Sequence, residues 1–240
     1  MIRVEERPDR VVVTLDRPDK HDAIDADGVD ALHDVCAAVE RDPRLLLLTG
    51  AGGIFAAGAD IAQLRERGRL DALAAINSGL FSRVAALPMP TLAAVDGPAI
   101  GGGAELAYAC DLRVCSDRAY FAQPEVRLGI IAGAGATYRL PALVGPAVAK
   151  ELLYTGRRVD AAEALALRLV SRVVPAGELL RTAHDLLDEC AAGSPLALRL
   201  TKLAVDASPA AHPQLDLLSQ AVLFEDDEKR ERMTRFLQRD

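Results

Sequence analysis

Cysteine is scarce and unpaired in this chain: Cys36, Cys110, Cys115 and Cys190 form no C-x-x-C pair. A chain of 240 residues buries enough core to stand without staples, so reduced thiols in a cytoplasmic protein are expected rather than a disulfide framework. Basic excess is lacking as well. The 28 Lys and Arg against 35 Asp and Glu give a net charge of -7 and a pI near 5.2, so no basic face is expected to attract nucleic acid or an anionic membrane. Met1 to Asp9 is charged and lacks the apolar segment of a secretory signal. The most apolar region, Thr91 to Ala109, is interrupted by Asp96, Glu105 and several glycines, which argues against a membrane span.

Several familiar site motifs are missing too. In Gly50-Ala51-Gly52-Gly53-Ile54-Phe55 the sixth position of a dinucleotide fingerprint is a phenylalanine, and no clear helix opens behind it. Gly129 to Gly135 has glycines without the lysine and hydroxyl of a phosphate-binding loop. There is no G-x-S-x-G elbow and no H-E-x-x-H zinc pattern. The histidines His21, His33, His184 and His212 are scattered, as surface or capping residues are, so neither a metal nor a serine triad is expected.

What is present is a pair of glutamates in unusual company. Glu105, in Gly101-Gly102-Gly103-Ala104-Glu105-Leu106, and Glu125, in Phe121-Ala122-Gln123-Pro124-Glu125, are both set among small apolar residues. Buried carboxyls that repel one another when ionised tend to divide into a proton donor and a proton acceptor, which is equipment for acid-base chemistry.

The rest of the chain alternates strands with helices. Val11 to Leu15, Leu45 to Thr49, Thr91 to Val95 and Leu112 to Ser116 read as strands. Ala26 to Arg41, Asp71 to Leu87 and Gly102 to Cys110 read as helices, the first with Val29, Leu32, Val35 and Val39 at helical spacing. After about Val174 the pattern is helical only, with Glu178 to Ala192, Pro195 to Val205 and Pro213 to Arg239. The expected organisation is an α/β core over 1–175 and a helical region over 176–240 that packs on the core or on a neighbouring subunit. Phe224, Met233, Phe236 and Leu237 are expected to be packing positions, and the charges from Glu225 to Arg232 a solvated helix face.

Two glycine-bearing bends expose backbone N–H groups. Phe55-Ala56-Ala57-Gly58-Ala59-Asp60-Ile61 leads from a strand into a short helix, and Gly101 to Gly103 opens the helix that carries Glu105. The first N–H groups of a helix lack internal acceptors and sit at its positive end, so they can stabilise an oxyanion. Taken alone, the triple glycine could equally serve close packing, with Glu105 as a helix-start contact. Asp60 reads first as a helix cap, and Glu125 has a salt bridge to Arg127 or Arg113 as its plain alternative.

These segments, together with Asp96-Gly97-Pro98-Ala99-Ile100, Cys110-Asp111-Leu112-Arg113, Gln123 to Gly129 and Gly133-Ala134-Gly135-Ala136-Thr137, make the chain resemble the crotonase family of enoyl-CoA hydratases and isomerases from about Val11 to Leu237. The resemblance implies a crotonase-like spiral of ββα units with a helical carboxy-terminal region for trimerisation, as a homotrimer or a dimer of trimers. It implies an acyl-coenzyme A thioester as ligand and no separate cofactor. The thioester oxygen would lie between the N–H groups of Ala59 and Gly102, with Glu105 and Glu125 as the acid-base pair. Substrate contacts would come from Lys20, Ala23, Ala57, Asp60, Ile61, Pro124 and Gly133, the last at the start of the helix after Ala132. Retention of both glutamates favours hydration of a 2-enoyl thioester over Δ3,Δ2-isomerisation or noncatalytic acyl-CoA binding. Departures from the pattern are Asp22 for an asparagine, Ala62 for a lysine near the coenzyme A phosphates and Ala132 for a proline; Arg239 aligns roughly with a basic position that reaches a neighbour's nucleotide.

Overall fold

The computed structural model describes residues 2–17, 20 and 22–238; Met1, His21 and Arg239, named above, lie outside the described residues. The strands are β1 (Ile2–Glu6), β2 (Arg10–Leu15), β3 (Leu45–Gly50), β4 (Thr91–Val95), β5 (Pro98–Ile100), β6 (Leu112–Ser116), β7 (Tyr120–Ala122), β8 (Val159–Asp160) and β9 (Arg172–Val174). Six of them form one sheet in the order β1-β2-β3-β4-β6-β9, parallel throughout except for the antiparallel β1-β2 pair. A small second sheet, β5-β7-β8, stands beside it.

The run of leucines in β3 follows from burial on both faces. Leu46 and Leu48 enter one apolar cluster and Leu45 and Leu47 the other, the alternation that a strand imposes. The first cluster is closed by the helices Ala26–Arg41, Ile76–Ala85 and Gly102–Ala109. Helix Ala26–Arg41 is capped by Asp25, which accepts from the Gly28 N–H at 3.0 Å, and turns Val29, Leu32, Val35, Cys36 and Val39 inward. The second cluster is closed by helix Leu179–Ala191 through Leu179, Ala183 and Leu187. The first helix beyond Val174 is therefore a layer of the core.

Three expectations are corrected. The segment read as one helix over Asp71 to Leu87 is two, Arg69–Leu73 and Ile76–Ala85, separated at Ala75, whose φ of 55° is left-handed. Only the second has a core to lie on, burying Leu80, Phe81 and Val84, whereas Leu70 and Leu73 of the first are 80% and 75% exposed. The last helix is likewise divided into Gln214–Glu225 and Asp227–Leu237, because Asp226 leaves the helical conformation and caps the second piece through the Glu228 N–H. Neither piece buries a residue within the chain: Phe224, Met233, Phe236 and Leu237 are 49–80% exposed, so they are not packing positions in the single chain. Among the described residues no helix is long and apolar enough to cross a membrane.

Candidate active site

The site begins where the chain leaving β3 runs back beside β5. The Phe55 and Ala56 N–H groups donate to the Pro98 carbonyl at 3.0 and 3.1 Å, and the Ile100 N–H returns a bond to the Ala56 carbonyl at 3.0 Å. Phe55, fully buried, anchors this segment in the core. Contact between the two strips of backbone is so close that a Cβ on Gly103 would meet the Ala56 carbonyl oxygen at 2.2 Å. Beyond this seam the bends at 58–59 and 101–102 converge, since a Cβ on Gly102 would lie only 3.7 Å from the Ala59 nitrogen. Neither the Ala59 nor the Gly102 N–H donates to another group among the described residues. Helix Gly102–Ala109 starts at the second of these donors, so its positive end adds to the pull on an anion.

Glu105 sits on the first turn of that helix and is 3% exposed. Its Oε1 accepts from the N–H groups of Ala134 at 2.8 Å and Ala136 at 3.0 Å. Burial raises its pKa above the ordinary value, while these two donors and the nearby Arg139 guanidinium oppose the rise.

Glu125 opens a single 3-10 turn, Glu125–Leu128, and is 9% exposed. Its carboxylate lies over Gly101: a Cβ there would meet Oε1 at 2.8 Å. Gly101 has a second reason to be glycine, a φ of 53°, which directs its N–H to the Ala122 carbonyl at 2.8 Å. Burial pushes the Glu125 carboxyl up from 4.5 to about 7, and the charge of Glu105 adds to the rise. Against both works Gln123, itself 2% exposed, whose amide nitrogen faces the carboxylate 3.0 Å from Oε1 and from Oε2 in the orientation that satisfies both side chains. Neither alternative ion pair exists. Arg127 donates to the Thr155 carbonyl, and Arg113 is buried on the carbonyls of Ala107, Cys110 and Leu169.

The remaining residues singled out in the sequence lie on the segments next to these groups. Loop 22–25, which carries Ala23, meets the bend between Ala57 and Ala59 through the Ile24 N–H and the Gly58 carbonyl at 2.8 Å. Asp60 caps helix Ile61–Glu66 by accepting from Ala62 and Gln63, and these bonds, with Lys20 at 3.6 Å, hold its pKa below the ordinary value. Ile61 is 59% exposed at the rim. Pro124 directly precedes Glu125, and Gly133 precedes the donor Ala134. One placement differs: the helix starts at Ala136, with Gly133 in the turn before it, because Gly135, at a φ of 133°, is outside the helical conformation; the Ala134 and Ala136 N–H groups are free to bond Glu105. Those two alanines and Gln123 were not singled out for these contacts. A backbone donor has no side-chain signature, and the run Gly133-Ala134-Gly135-Ala136 was the one available hint.

Comparison with known proteins agrees with this architecture. The family model described as enoyl-CoA hydratase/isomerase matches residues 8–239. The short-chain-enoyl-CoA hydratase of Clostridium acetobutylicum is 35% identical over 95% of this chain and 91% of its own length. The crotonyl-CoA hydratase of Syntrophomonas wolfei is 37% identical over 99% of this chain and 95% of its own. The crystal structure of an enoyl-CoA hydratase from Bacillus anthracis superposes with a TM-score of 0.93 at 32% identity, covering 98% of this chain and 95% of that one. The fold is thus crotonase-like, and the chain belongs to the enoyl-CoA hydratase/isomerase family.

Proposed function

We propose that the chain is an enoyl-CoA hydratase, a hydro-lyase that adds water reversibly across the 2,3 double bond of an enoyl-CoA thioester to give the 3-hydroxyacyl-CoA. The observation that carries this reading is the unequal treatment of two buried carboxyls at one helix start. Burial raises both, but Glu105 receives two backbone N–H groups that oppose the rise, whereas burial and the Glu105 charge together push Glu125 to about 7.

In this reading the thioester carbonyl accepts from the N–H groups of Ala59 and Gly102, and each donor stabilises the developing enolate by about 3 to 4 kcal/mol. Glu105 takes a proton from a water held between the carboxyls as its oxygen attacks C3, and Glu125 delivers a proton to C2. The reverse reaction exchanges the roles. Lys20, Ala23, Ala57, Asp60 and Ile61 border the coenzyme A side of the thioester, and Pro124 and Gly133 the acyl and water side. Coenzyme A enters as part of the substrate, and no separate cofactor takes part. The exposed Leu217, Leu218, Val222 and Phe224 of the terminal helices offer an apolar surface for a neighbouring subunit; in this reading the protein works in the cytoplasm as a trimer or dimer of trimers, with 176–240 as the trimerisation region.

The test is purified protein against short, long and aryl 2-enoyl-CoA thioesters, following loss of the conjugated absorbance and the mass of the product. A product heavier by one water supports hydration. A 3-enoyl isomer of unchanged mass would make the protein an isomerase, and binding without turnover would make it an acyl-CoA carrier.

A further inference from the structure

We infer, resting on the reading of Glu105 as the base, that Arg139 is a positioning residue for that carboxylate: it holds the turn 133–136 in the orientation in which the N–H groups of the turn reach Glu105. Two donors of the turn meet Oε1, the Ala134 N–H at 2.8 Å and the Ala136 N–H at 3.0 Å. Between them in the chain lies the Ala134 carbonyl, which accepts from Arg139 Nη1 at 3.3 Å. The guanidinium lies against the next residue as well, since a Cβ on Gly135 would fall 2.0 Å from Nη1. It also stacks over the Tyr138 ring, with Cζ 4.7 Å from the ring centroid.

A glycine at this point makes a restraint necessary. Gly135 has a φ of 133°, which side-chain-bearing residues rarely adopt, and glycine is nearly as much at ease in other conformations. The peptide group joining Ala134 to Gly135 is planar and turns as a unit. Turned with its carbonyl toward Glu105, it would set the negative end of a dipole against the carboxylate and carry the flanking donors out of line. The bond from Arg139 engages that carbonyl and keeps the turn as it is. Arg83, Arg118 and Arg157 are engaged by carboxylates, whereas the side-chain hydrogen bonding of Arg139 among the described residues is confined to the Ala134 carbonyl. Its charge acts with the two donors, against the rise that burial imposes on Glu105. Other charges facing Glu105 are few. Glu125 and Glu105 oppose one another's ionisation, and Tyr108 shares the helix. Arg113 is held on carbonyls beyond the far end of that helix, and Arg83, the one charged residue of helix Ile76–Ala85, is paired with Glu40. Strand β5 carries no charge, and helix Ala136–Val144 carries only Arg139.

The experiment compares the parent with Arg139→Met and Arg139→Lys. The pKa of Glu105 is read from a ¹³C-carboxyl NMR titration of glutamate-labelled protein, with Glu105→Gln identifying the signal, and the pH profile of kcat/KM for hydration is recorded alongside. Arg139→Met removes both the bond and the charge and should raise the Glu105 pKa by about one pH unit. The acid limb of the hydration profile moves up with it, because Glu105 must be ionised to take a proton from water. Arg139→Lys keeps a charged donor and should cancel most of that shift. A structural role alone would lower kcat or Tm and leave the carboxyl signal and the acid limb where they are, which overturns the inference, as does an equal shift in the methionine and lysine variants. Should Arg139→Met not fold, Arg139→Gln, a donor without charge, decides by the same criterion with a smaller rise expected. The NMR titration needs no turnover, so failure of the hydratase reading shows as an inactive parent, and failure of the role given to Arg139 as an unmoved carboxyl signal.

Discussion

Replacing Glu125 by glutamine tests the electrostatic account without any substrate. Burial and the charge of Glu105 move this carboxyl from 4.5 to about 7, and each pH unit of separation is worth about 1.4 kcal/mol. The unfolded chain loses the proton near 4.5, whereas the folded chain keeps it to about 7. Between those values the folded state binds more protons than the unfolded one, so stability falls as pH rises, and above the folded pKa the full cost is present. The span corresponds to about 3 kcal/mol. Donation by Gln123 opposes it, leaving a cost of about 2 kcal/mol. Glutamine keeps the shape and carries no charge. Urea denaturation at matched protein concentration should therefore find Glu125→Gln about 2 kcal/mol more stable than the parent at pH 8.5, with the gap narrowing to less than about 1 kcal/mol at pH 5. A gap that is the same at both pH values, or a variant less stable than the parent at pH 8.5, would refute the reasoning.

Gly103→Ala places a Cβ 2.2 Å from the Ala56 carbonyl oxygen, an atom that moves only with its backbone. The expected cost is about 2 kcal/mol or more, with a lower Tm and a fall in turnover as the Ala59 and Gly102 donors separate; an alanine variant with parental Tm and kcat would disprove the contact. Asp111 joins the core to helix Pro195–Asp206 by accepting from the Thr91 N–H at 2.7 Å, the Thr91 hydroxyl at 3.0 Å and Lys202 Nζ at 2.7 Å. Asp111→Ala leaves both Thr91 donors unmatched and Lys202 Nζ with only the Met89 carbonyl at 3.4 Å, and should cost about 2 kcal/mol in denaturant titration, whereas a change below about 0.5 kcal/mol would mean that water takes over the role.

Much of the fold was legible because burial leaves a periodic trace. The continuous leucines of β3 and the spacing of Val29, Leu32, Val35 and Val39 mark elements whose faces are fully occupied by the core. Where the core ends, the trace fails. Nothing in Leu70 to Ile76 announces the left-handed turn at Ala75, since the exposed first piece has no apolar face to reveal its direction. The break at Asp226 was signalled by an acidic cap followed by Asp227 and Glu228, but a run of opposite charges also suits an unbroken solvated helix. In the site, Glu105 and Glu125 stand out because carboxyls are rare among glycine and alanine. The donors from Ala134 and Ala136 do not, because every residue but proline has an N–H and only the path of the chain decides where it points.

The most direct measurement is kcat for hydration in the Glu105→Gln and Glu125→Gln variants, with the Kd for a saturated acyl-CoA thioester determined alongside. The account predicts that each change lowers kcat by roughly 10²- to 10⁴-fold while the Kd stays close to that of the parent. Parental kcat in either variant would contradict it, and activity retained in Glu105→Gln alone would leave a single-base isomerisation in place of hydration.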